Sequence, residues 1–238
     1  MPRFFTDDIR PDIIHISGEN GRHIAKSLRM RPGEELTLCD GKGNDCRCII
    51  TEISGDEVFV KVEERVKSSS EPDVFLRLCQ CLPKSDKMDL ITQKVTELGV
   101  SEIIPVNSEF CIAKMAGKEE KKIARWQKIA LEAAKQSGRG IIPNFASPMS
   151  FKEAVEKLPG EKILFYEHGG EALRDIITPE MKEISIFIGP EGGFSKDEVE
   201  FAKAHGVRTA TLGPRILRTE TAPITAASLI MYMTGNLE

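Results

Sequence analysis

Short apolar runs separated by polar turns make up the first seventy residues of the chain. Three of these runs, at 36–39, 46–53 and 58–62, are predicted strands, and Asp-Gly or Gly-Asp pairs supply turns near them. Short strands at such close spacing predict a small β-barrel. The polar segment 67–72 ends in a proline and marks the predicted boundary of this first domain, residues 1–70.

After residue 73 the pattern changes to predicted strands that alternate with predicted helices. Predicted strands cover 74–81, 102–106, 162–166, 184–188 and 208–212, and predicted helices cover 85–98, 119–137, a segment after Ser150, a segment from Ser195 to about 206, and 221–233. The two serines each precede a glutamate by three residues, which is the capping-box pattern. This alternation predicts an α/β layer with a parallel sheet over residues 73–238.

Three of the predicted strands run into loops rich in glycine, proline and small residues. The loops cover 167–170, 189–195 and 213–222. In open α/β sheets, ligands bind at the carboxyl ends of the strands. Glycine lets the backbone approach a ligand closely. Bare N–H and C=O groups in such loops can bind a purine edge or the carboxylate of an amino acid.

A phosphate-binding loop is the obvious rival interpretation of these segments. The chain contains no G-x-x-x-x-G-K string, and the second loop reads GPEGG over 189–193 rather than the dinucleotide fingerprint. Glu191 inside that loop is a poor neighbour for a pyrophosphate. The residues favour a small neutral or zwitterionic ligand over a nucleoside polyphosphate. Three ordinary tight turns of a doubly wound sheet remain an equal alternative.

Five sequence blocks resemble the RsmE family of RNA methyltransferases. They are IGPEGGFS at 188–195, LGPRILRTETA at 212–222, His23 with LRMRPG at 28–33, Lys84, Lys87 and Met88 with QKVTELGV at 93–100, and EAAKQSGR at 132–139 with Pro143. A single GPEGG string would be weak evidence. All five blocks occur in the family's order at plausible spacing, so the resemblance is specific and extends across the chain.

The resemblance implies an N-terminal PUA-like β-barrel that helps to bind RNA, followed by a SPOUT-type α/β domain that ends in a trefoil knot. It also implies a homodimer that binds S-adenosyl-L-methionine and methylates N3 of a uridine in the 16S ribosomal RNA of the small subunit. The three glycine-rich loops correspond to the family's cofactor loops. The expected cofactor-binding residues are Tyr166, Glu167, Gly189, Pro190, Glu191, Gly192, Gly193, Leu212, Gly213, Ile216, Leu217, Thr221 and Ala222.

Three residues of the third loop are candidates for catalysis of this methyl transfer. Uridine N3 is a poor nucleophile until its proton leaves, and negative charge then spreads over O2, N3 and O4. Arg215 and Arg218 are candidates for stabilising that charge, because arginine stays charged and donates several directed hydrogen bonds. Glu220 could orient an arginine or accept a proton. The alternative is an internal ion pair between Arg218 and Glu220 that only holds the loop.

Basic side chains are the candidates for holding the RNA. N3 lies on the Watson–Crick edge, so the base must be unpaired or flipped before it reacts. The net charge of −4 argues against a general polyanion binder, although basic residues outnumber acidic ones over 71–150. Ordinary surface solvation is the alternative for each side chain. The candidates are Arg10, Arg22, Arg29, Arg31, Lys84, Lys87, Lys94 and Arg139.

The terminal helix is almost uncharged over residues 222–233. A helix that is apolar nearly all round must be buried, either in the core or in a subunit interface. We therefore expect a homodimer. Trp126 is expected to anchor the long helix at 119–137, with base stacking as the less favoured alternative.

The cysteine spacing and the N-terminal sequence bear on metals and location. Two pairs have the form C-x-C, whereas zinc sites usually space their cysteines two to four residues apart. We therefore expect ordinary reduced thiols and no metal. The N-terminus lacks an apolar signal core, and no run approaches the roughly 20 apolar residues of a membrane span. A cytoplasmic protein without membrane contact is expected.

Three other functions compete with uridine-N3 methylation. The same fold could act on a ribose 2′-oxygen or a tRNA base. A non-enzymatic RNA-binding or ribosome-assembly factor would bind RNA without dependence on a cofactor. A small-molecule binding protein would bind its ligand without RNA. Uptake of S-adenosyl-L-methionine together with sedimentation on small ribosomal subunits separates these alternatives.

Overall fold

The computed structural model describes residues 1–113, 115 and 117–237. The chain forms two compact units. The first contains Met1–Glu71 together with Ala134–Ile142, and the second contains Pro72–Ala133 together with Pro143–Glu238. The segment 134–142 therefore belongs with the first unit although it lies far along the chain.

The first unit is built on a sheet whose strand order is β1-β3-β4-β5-β2. The strands are β1 (Arg3–Phe5), β2 (Ile13–Ile16), β3 (Glu35–Cys39), β4 (Asn44–Ser54) and β5 (Glu57–Lys67). β1 pairs with β3 in parallel, and the other pairs are antiparallel. The three predicted strands are confirmed as β3, β4 and β5, whereas β1 and β2 were not predicted.

A short helical segment and two register shifts complete the first unit. α1 (Gly18–Arg22) runs directly into a π-helical turn, His23–Ser27, whose Ile24 is fully buried in the core of this unit. The ladder between β4 and β5 shifts register twice, which is typical of β-bulges. Bulges increase the local twist and bend a sheet, so they allow this one to curl around its core.

The second unit is built on a parallel sheet. Its described strands are β6 (Phe75–Cys81), β7 (Glu102–Asn107), β8 (Asn144–Phe145), β9 (Met149–Ser150), β10 (Glu161–Phe165), β11 (Glu171–Ala172), β12 (Glu183–Ile188) and β13 (Arg208–Thr211). The order is β11-β13-β10-β12-β6-β7-β8, with β9 also paired to β7. Every one of these pairings is parallel, which confirms the predicted sheet. The central strands are largely apolar because both faces are covered, and their buried polar residues Arg77, Gln80 and Ser185 have hydrogen-bond partners.

The helices of the second unit follow the predicted alternation. They are α2 (Lys87–Glu97), α3 (Glu119–Ser137), α4 (Phe151–Lys157), α5 (Lys196–Ala204) and α6 (Thr221–Met233). Both predicted capping boxes are confirmed. The hydroxyls of Ser150 and Ser195 accept from the backbone N–H groups of Glu153 and Glu198 at 3.2 and 3.3 Å. These caps set where α4 and α5 begin.

Two apolar predictions have different outcomes. Trp126 is buried on α3 and stacks on Phe145 at 5.8 Å, as expected for a helix anchor. On α6, Ile230 and Met231 are buried, but Tyr232 is 65% exposed and Leu229 is half-buried. Only one face of α6 therefore packs within a single chain, so the core accounts for part of the expected burial and the subunit interface stays a prediction.

A buried ion network lies near the amino ends of three central strands. Arg77 on β6 donates to Glu102 on β7 at 2.5 Å, and to Ser185 and Glu183 on β12 at 2.9 and 3.2 Å. The Arg77 side chain is almost fully buried. The network ties the middle of the sheet together because a buried guanidinium needs partners for its donors.

No described helix combines the length and the apolar character needed to cross a membrane. All six cysteines are unpaired. Within the described residues, no cluster of three or more His, Cys, Asp or Glu side chains is placed to hold a metal ion.

Candidate active site

Three neighbouring strands, β13, β10 and β12, end at the same edge of the parallel sheet. The loops that follow them are the three glycine-rich segments found in the sequence. Together they enclose a cavity of about 720 Å³, called here the larger cavity. The three loops therefore line one cavity at the edge of the sheet where ligands bind in open α/β folds.

The wall between the first two loops is close-packed at a glycine. Gly193 has a φ of +69°, and a Cβ atom built on it would lie 2.1 Å from Oε1 of Glu167. Glycine adopts this left-handed backbone without strain and leaves the Glu167 carboxylate in place. The first loop is in turn tied to the sheet, because the N–H of Tyr166 donates to the carbonyl of Ala210 at 3.0 Å.

The second and third loops are joined by a buried threonine. The Thr219 hydroxyl donates to the carbonyl of Gly189 at 2.8 Å and accepts from the side-chain amide of Gln80 at 3.3 Å. Gln80 is fully buried on β6. The third loop is thus held at its end, while Arg215, Ile216 and other residues before it remain exposed.

A lysine from α2 connects the second and third loops by charge. Nζ of Lys87 lies 2.9 Å from Oε1 of Glu191 and 3.1 Å from Oε2 of Glu220. Oε1 of Glu191 also accepts from the backbone N–H of Lys84 at 3.1 Å. One ammonium group therefore balances two carboxylates at the edge of the larger cavity.

The pKa values of this cluster shift as its ion pairs require. The hydrogen bond to Glu191, with further help from Glu220, raises the pKa of Lys87 against the opposing effect of burial. Burial alone would raise the pKa of Glu191, but its hydrogen bonds from Lys87 and from backbone N–H groups lower it. Burial would also raise the pKa of Glu220. Hydrogen bonds from its own backbone N–H and from Lys87 outweigh the effect of burial, so the pKa of Glu220 is lowered. All three groups are charged at neutral pH.

The proposed catalytic residues are arranged differently from the simple ion pair considered above. Glu220 pairs with Lys87, and neither the Arg215 nor the Arg218 guanidinium forms a hydrogen bond or ion pair with a residue that the structure describes. Both arginines are exposed and line the larger cavity. An internal Arg218–Glu220 ion pair is therefore not what holds this loop.

Most residues expected to bind the cofactor line the larger cavity. The exceptions are Gly192, which faces a second cavity, and Thr221, which begins α6 outside the lining. Sequence reasoning assigned Lys87 to RNA and did not single out Thr219, yet both line the larger cavity. Their roles depend on partners distant in sequence, so no local signal pointed to them.

The RNA candidates of the first unit differ in their availability. Arg29 and Arg31 are exposed, while the exposed Arg10 and Arg22 are paired with nearby aspartates. Arg139 is only 3% exposed, and its guanidinium binds Glu71 at 2.7 Å. Its predicted RNA contact is wrong, because a buried arginine that is paired in this way cannot reach a phosphate.

The RNA candidates of the second unit also differ in how available their ammonium groups are. Lys84 is exposed beside the second loop, and Lys94 is half-buried and paired with Glu97 at 2.9 Å. Lys87 is engaged by the two carboxylates described above. Lys84 is therefore the candidate of this group whose ammonium is most available.

Comparison with known families defines the class of protein. Residues 70–231 match the family described as RNA methyltransferase domain, and residues 16–63 match the RNA methyltransferase PUA domain. These ranges fall on the parallel sheet and on the curled first sheet respectively. The class is thus an RNA methyltransferase preceded by a PUA domain.

Individual relatives narrow the class. The Bacillus subtilis ribosomal RNA small subunit methyltransferase E is 34% identical, over 98% of this chain and 97% of its own. The Neisseria gonorrhoeae enzyme of the same name, solved with bound S-adenosyl methionine, is 33% identical with a TM-score of 0.89, over 98% and 97% of the two chains. A Legionella pneumophila protein solved with bound SAM cofactor is 32% identical with a TM-score of 0.85, over 97% and 96%. The chain belongs to the ribosomal RNA small subunit methyltransferase E family.

Proposed function

We propose that this protein uses S-adenosyl-L-methionine to methylate N3 of a uridine in the 16S ribosomal RNA of the small subunit. The observation that carries the proposal is the larger cavity, formed by three glycine-rich loops in a chain of this family. Relatives with the same fold were solved with that cofactor bound. The N3 position follows from the family resemblance.

The residues around the larger cavity fit S-adenosyl-L-methionine. Its volume of about 720 Å³ lies in the range of small-molecule pockets, roughly 300–1,000 Å³. Leu212 and Leu217 offer apolar surface for an adenine ring, and the glycine backbone offers N–H and C=O groups for its edge. The Glu167 carboxylate is an acceptor for hydroxyl or ammonium donors. Glu191 and Glu220 supply negative charge that suits a cationic sulfonium better than a phosphate.

Two arginines are placed to support the transfer. The bound cofactor supplies a methyl group activated on a sulfonium. Arg215 and Arg218 line the cavity, and neither guanidinium is engaged by the described residues, so their donors are available to the charge that develops on uridine O2 and O4. We assign them to stabilise that charge.

Glu220 is better suited to positioning than to accepting a proton. Its pKa is lowered by its own backbone N–H and by Lys87, against the opposing effect of burial. A carboxylate with a lowered pKa is a weak base at neutral pH. We therefore assign Glu220, with Lys87, to hold the third loop in place, and leave the proton to solvent.

The two units have separate proposed roles. Residues 1–70 form an RNA-binding PUA-like β-barrel, with Arg10, Arg22, Arg29 and Arg31 as backbone contacts, and residues 73–238 form the SPOUT methyltransferase domain with its trefoil knot. The exposed part of α6 supports a homodimer, because Tyr232 and Leu229 remain accessible in a single chain. The proposed substrate places the protein in the cytoplasm.

The test uses small ribosomal subunits from cells that lack this gene, incubated with the protein and methyl-labelled S-adenosyl-L-methionine. The rRNA is digested to nucleosides, and the labelled nucleoside is identified by mass spectrometry. Label in 3-methyluridine is the expected result. Label in another nucleoside would overturn the target. Absence of label, with particles that a known methyltransferase modifies, would overturn the activity.

A further inference from the structure

A second cavity lies beside the larger cavity in the same unit. Its volume is about 530 Å³, and it is lined by Lys84, Glu109, Phe110, Cys111, Ile112, Glu191 and Gly192. We call it the Phe110 cavity. Glu191 lines both cavities, so whatever occupies the Phe110 cavity is next to the proposed cofactor site.

The ring of Phe110 is exposed, although the backbone around it is anchored. Phe110 is 44% exposed. On one side of it, the N–H of Glu109 donates to Oε1 of Glu198 at 2.9 Å. On the other side, the N–H of Cys111 donates to the carbonyl of Ser108 at 3.1 Å. An apolar ring that is held outward in this way is suited to stacking, because little further ordering is needed when a flat ligand binds.

The second glycine-rich loop packs against Phe110 through Gly192. A Cβ atom built on Gly192 would lie 3.0 Å from Cβ of Phe110. A side chain at position 192 would therefore press on Phe110. The glycine lets the loop and the aromatic residue pack closely, which explains why Gly192 faces the Phe110 cavity rather than the larger one.

The charges around the Phe110 cavity disfavour an anionic occupant. Glu109 and Glu191 both line it, and two carboxylates repel a phosphate. Lys84 also lines it, is exposed, and forms no side-chain ion pair with any residue in the described part of the chain. A planar neutral base inside the cavity, with an adjoining phosphate on Lys84, satisfies both features.

We propose that the Phe110 cavity binds a nucleobase of the RNA substrate, which stacks on the Phe110 ring beside the cofactor site while Lys84 binds a neighbouring phosphate. This inference deepens the proposed function and rests on it. It assigns to RNA recognition an aromatic residue that belongs to none of the sequence blocks of the family resemblance. Base–aromatic stacking of this kind is tolerant of base identity, so the cavity contributes affinity more than sequence preference.

The first experiment measures RNA binding without catalysis. Phe110→Trp introduces an indole whose fluorescence is followed during titration with a single-stranded oligouridylate. Quenching of the added emission is expected, because a stacked base quenches an indole. Phe75→Trp is the matched control, because Phe75 is similarly exposed, at 41%, but lies at the start of β6. The Phe110 cavity is instead lined by Lys84, which follows the end of β6. No quenching at saturating RNA, or equal quenching in both variants, would overturn the proposal.

The second experiment measures methyl transfer to unmethylated small subunits at saturating cofactor. Phe110→Ala is expected to lower kcat/KM by about tenfold or more, because alanine offers no ring for a base to stack on. Phe110→Tyr keeps an aromatic ring and should be close to the wild type. Cofactor affinity should be unchanged in both. A Phe110→Ala enzyme with wild-type kcat/KM, or a Phe110→Tyr enzyme as poor as Phe110→Ala, contradicts stacking.

The two experiments separate failure of this inference from failure of the proposed function. If RNA quenches the emission added in Phe110→Trp, while the wild-type protein binds the cofactor but methylates no small subunit, the proposed function alone is refuted. If the wild-type protein methylates the small subunit but RNA does not quench the emission added in Phe110→Trp, the stacking site alone is refuted.

Discussion

Nζ of Lys87 lies 3.1 Å from Oε2 of Glu220 and 2.9 Å from Oε1 of Glu191. The first turn of α2 thereby holds two loops that follow different strands of the sheet. Because the lysine neutralises both carboxylates, its removal would leave two like charges close together at the edge of the larger cavity. This arrangement supports our assignment of Lys87 as a positioning residue for the cavity.

Lys87→Met should disturb the site more than the stability of the fold. We expect kcat to fall by about tenfold or more, because the third loop with its arginines loses its anchor. The melting temperature should change little, since the pair is partly exposed. Lys87→Arg should retain part of the activity. Lys157→Met, which removes an exposed lysine that pairs with Glu153 on α4, is the control and should keep wild-type kcat; equal loss in both variants would argue against the positioning role.

Gly193→Ala should weaken cofactor binding. The added Cβ would meet Oε1 of Glu167 at 2.1 Å in a backbone with a φ of +69°, so the Glu167 carboxylate must turn away from its place at the wall of the larger cavity. We expect the Kd for S-adenosyl-L-methionine, measured by calorimetry, to rise by about tenfold or more. Gly206→Ala has a similar φ of +78° and nothing within 4 Å, so it tests backbone strain alone. Similar Kd values for the two variants would disprove the steric argument.

Arg218→Gln should reduce the rate of methyl transfer while cofactor affinity persists. The guanidinium is exposed in the cavity and is assigned to charge that develops only during the reaction. Loss of one such donor typically costs about 100-fold in kcat. Arg215→Gln is expected to act in the same direction. The control is Arg174→Gln, an exposed arginine outside the cavity, which should behave as wild type. A lower affinity with unchanged kcat would assign the arginines to binding.

Cys111 should be the first cysteine to react with iodoacetamide. Its hydrogen bond with Cys81, helped by Ser108 and against the effect of burial, lowers its pKa to about 6. The thiolate therefore forms as the pH rises through about 6, and the alkylation rate should rise with it. Burial instead raises the pKa of Cys39 and Cys48 to about 12, so these should stay unmodified at neutral pH.

Peptide mapping by mass spectrometry after alkylation at several pH values measures this order. Cys111→Ser removes the fast-reacting site and serves as the control. A midpoint near the ordinary thiol pKa of 9.0 would show that the thiolate is not stabilised as described. Because Cys111 lines the Phe110 cavity, bound RNA should also slow its alkylation.

Arg77→Met should destabilise the fold without a direct effect on the site. The variant leaves Glu102 and Glu183 without their buried cation near the amino ends of the strands, away from the loops. The carboxylates left behind are 18% and 39% exposed, so the expected cost is about 1–3 kcal/mol in the free energy of unfolding, which urea titration measures. Lys157→Met, which breaks an exposed pair with Glu153, should cost no more than about 1 kcal/mol. Equal costs would show that the Arg77 network is not effectively buried.

The long apolar strands and capped helices were predictable from local pattern. The run at 184–188 became β12, Glu183–Ile188, because a strand buried on both faces is apolar at most positions, with Ser185 as the exception within this run. β1, β8, β9 and β11 were not predicted, since two or three residues carry no periodic signal. These strands exist because neighbouring strands offer them hydrogen-bond partners in register.

The sequence by itself determined the α/β alternation, the three loops and the family, because these depend on residue types at short spacing. The tertiary structure alone decided the roles of individual charges. Lys87 and Glu191 are 104 positions apart in sequence, and Arg139 meets Glu71 across 68 positions. Whether a lysine or arginine faces solvent or a buried carboxylate depends on which distant segments the fold brings together, and no local pattern contains that information.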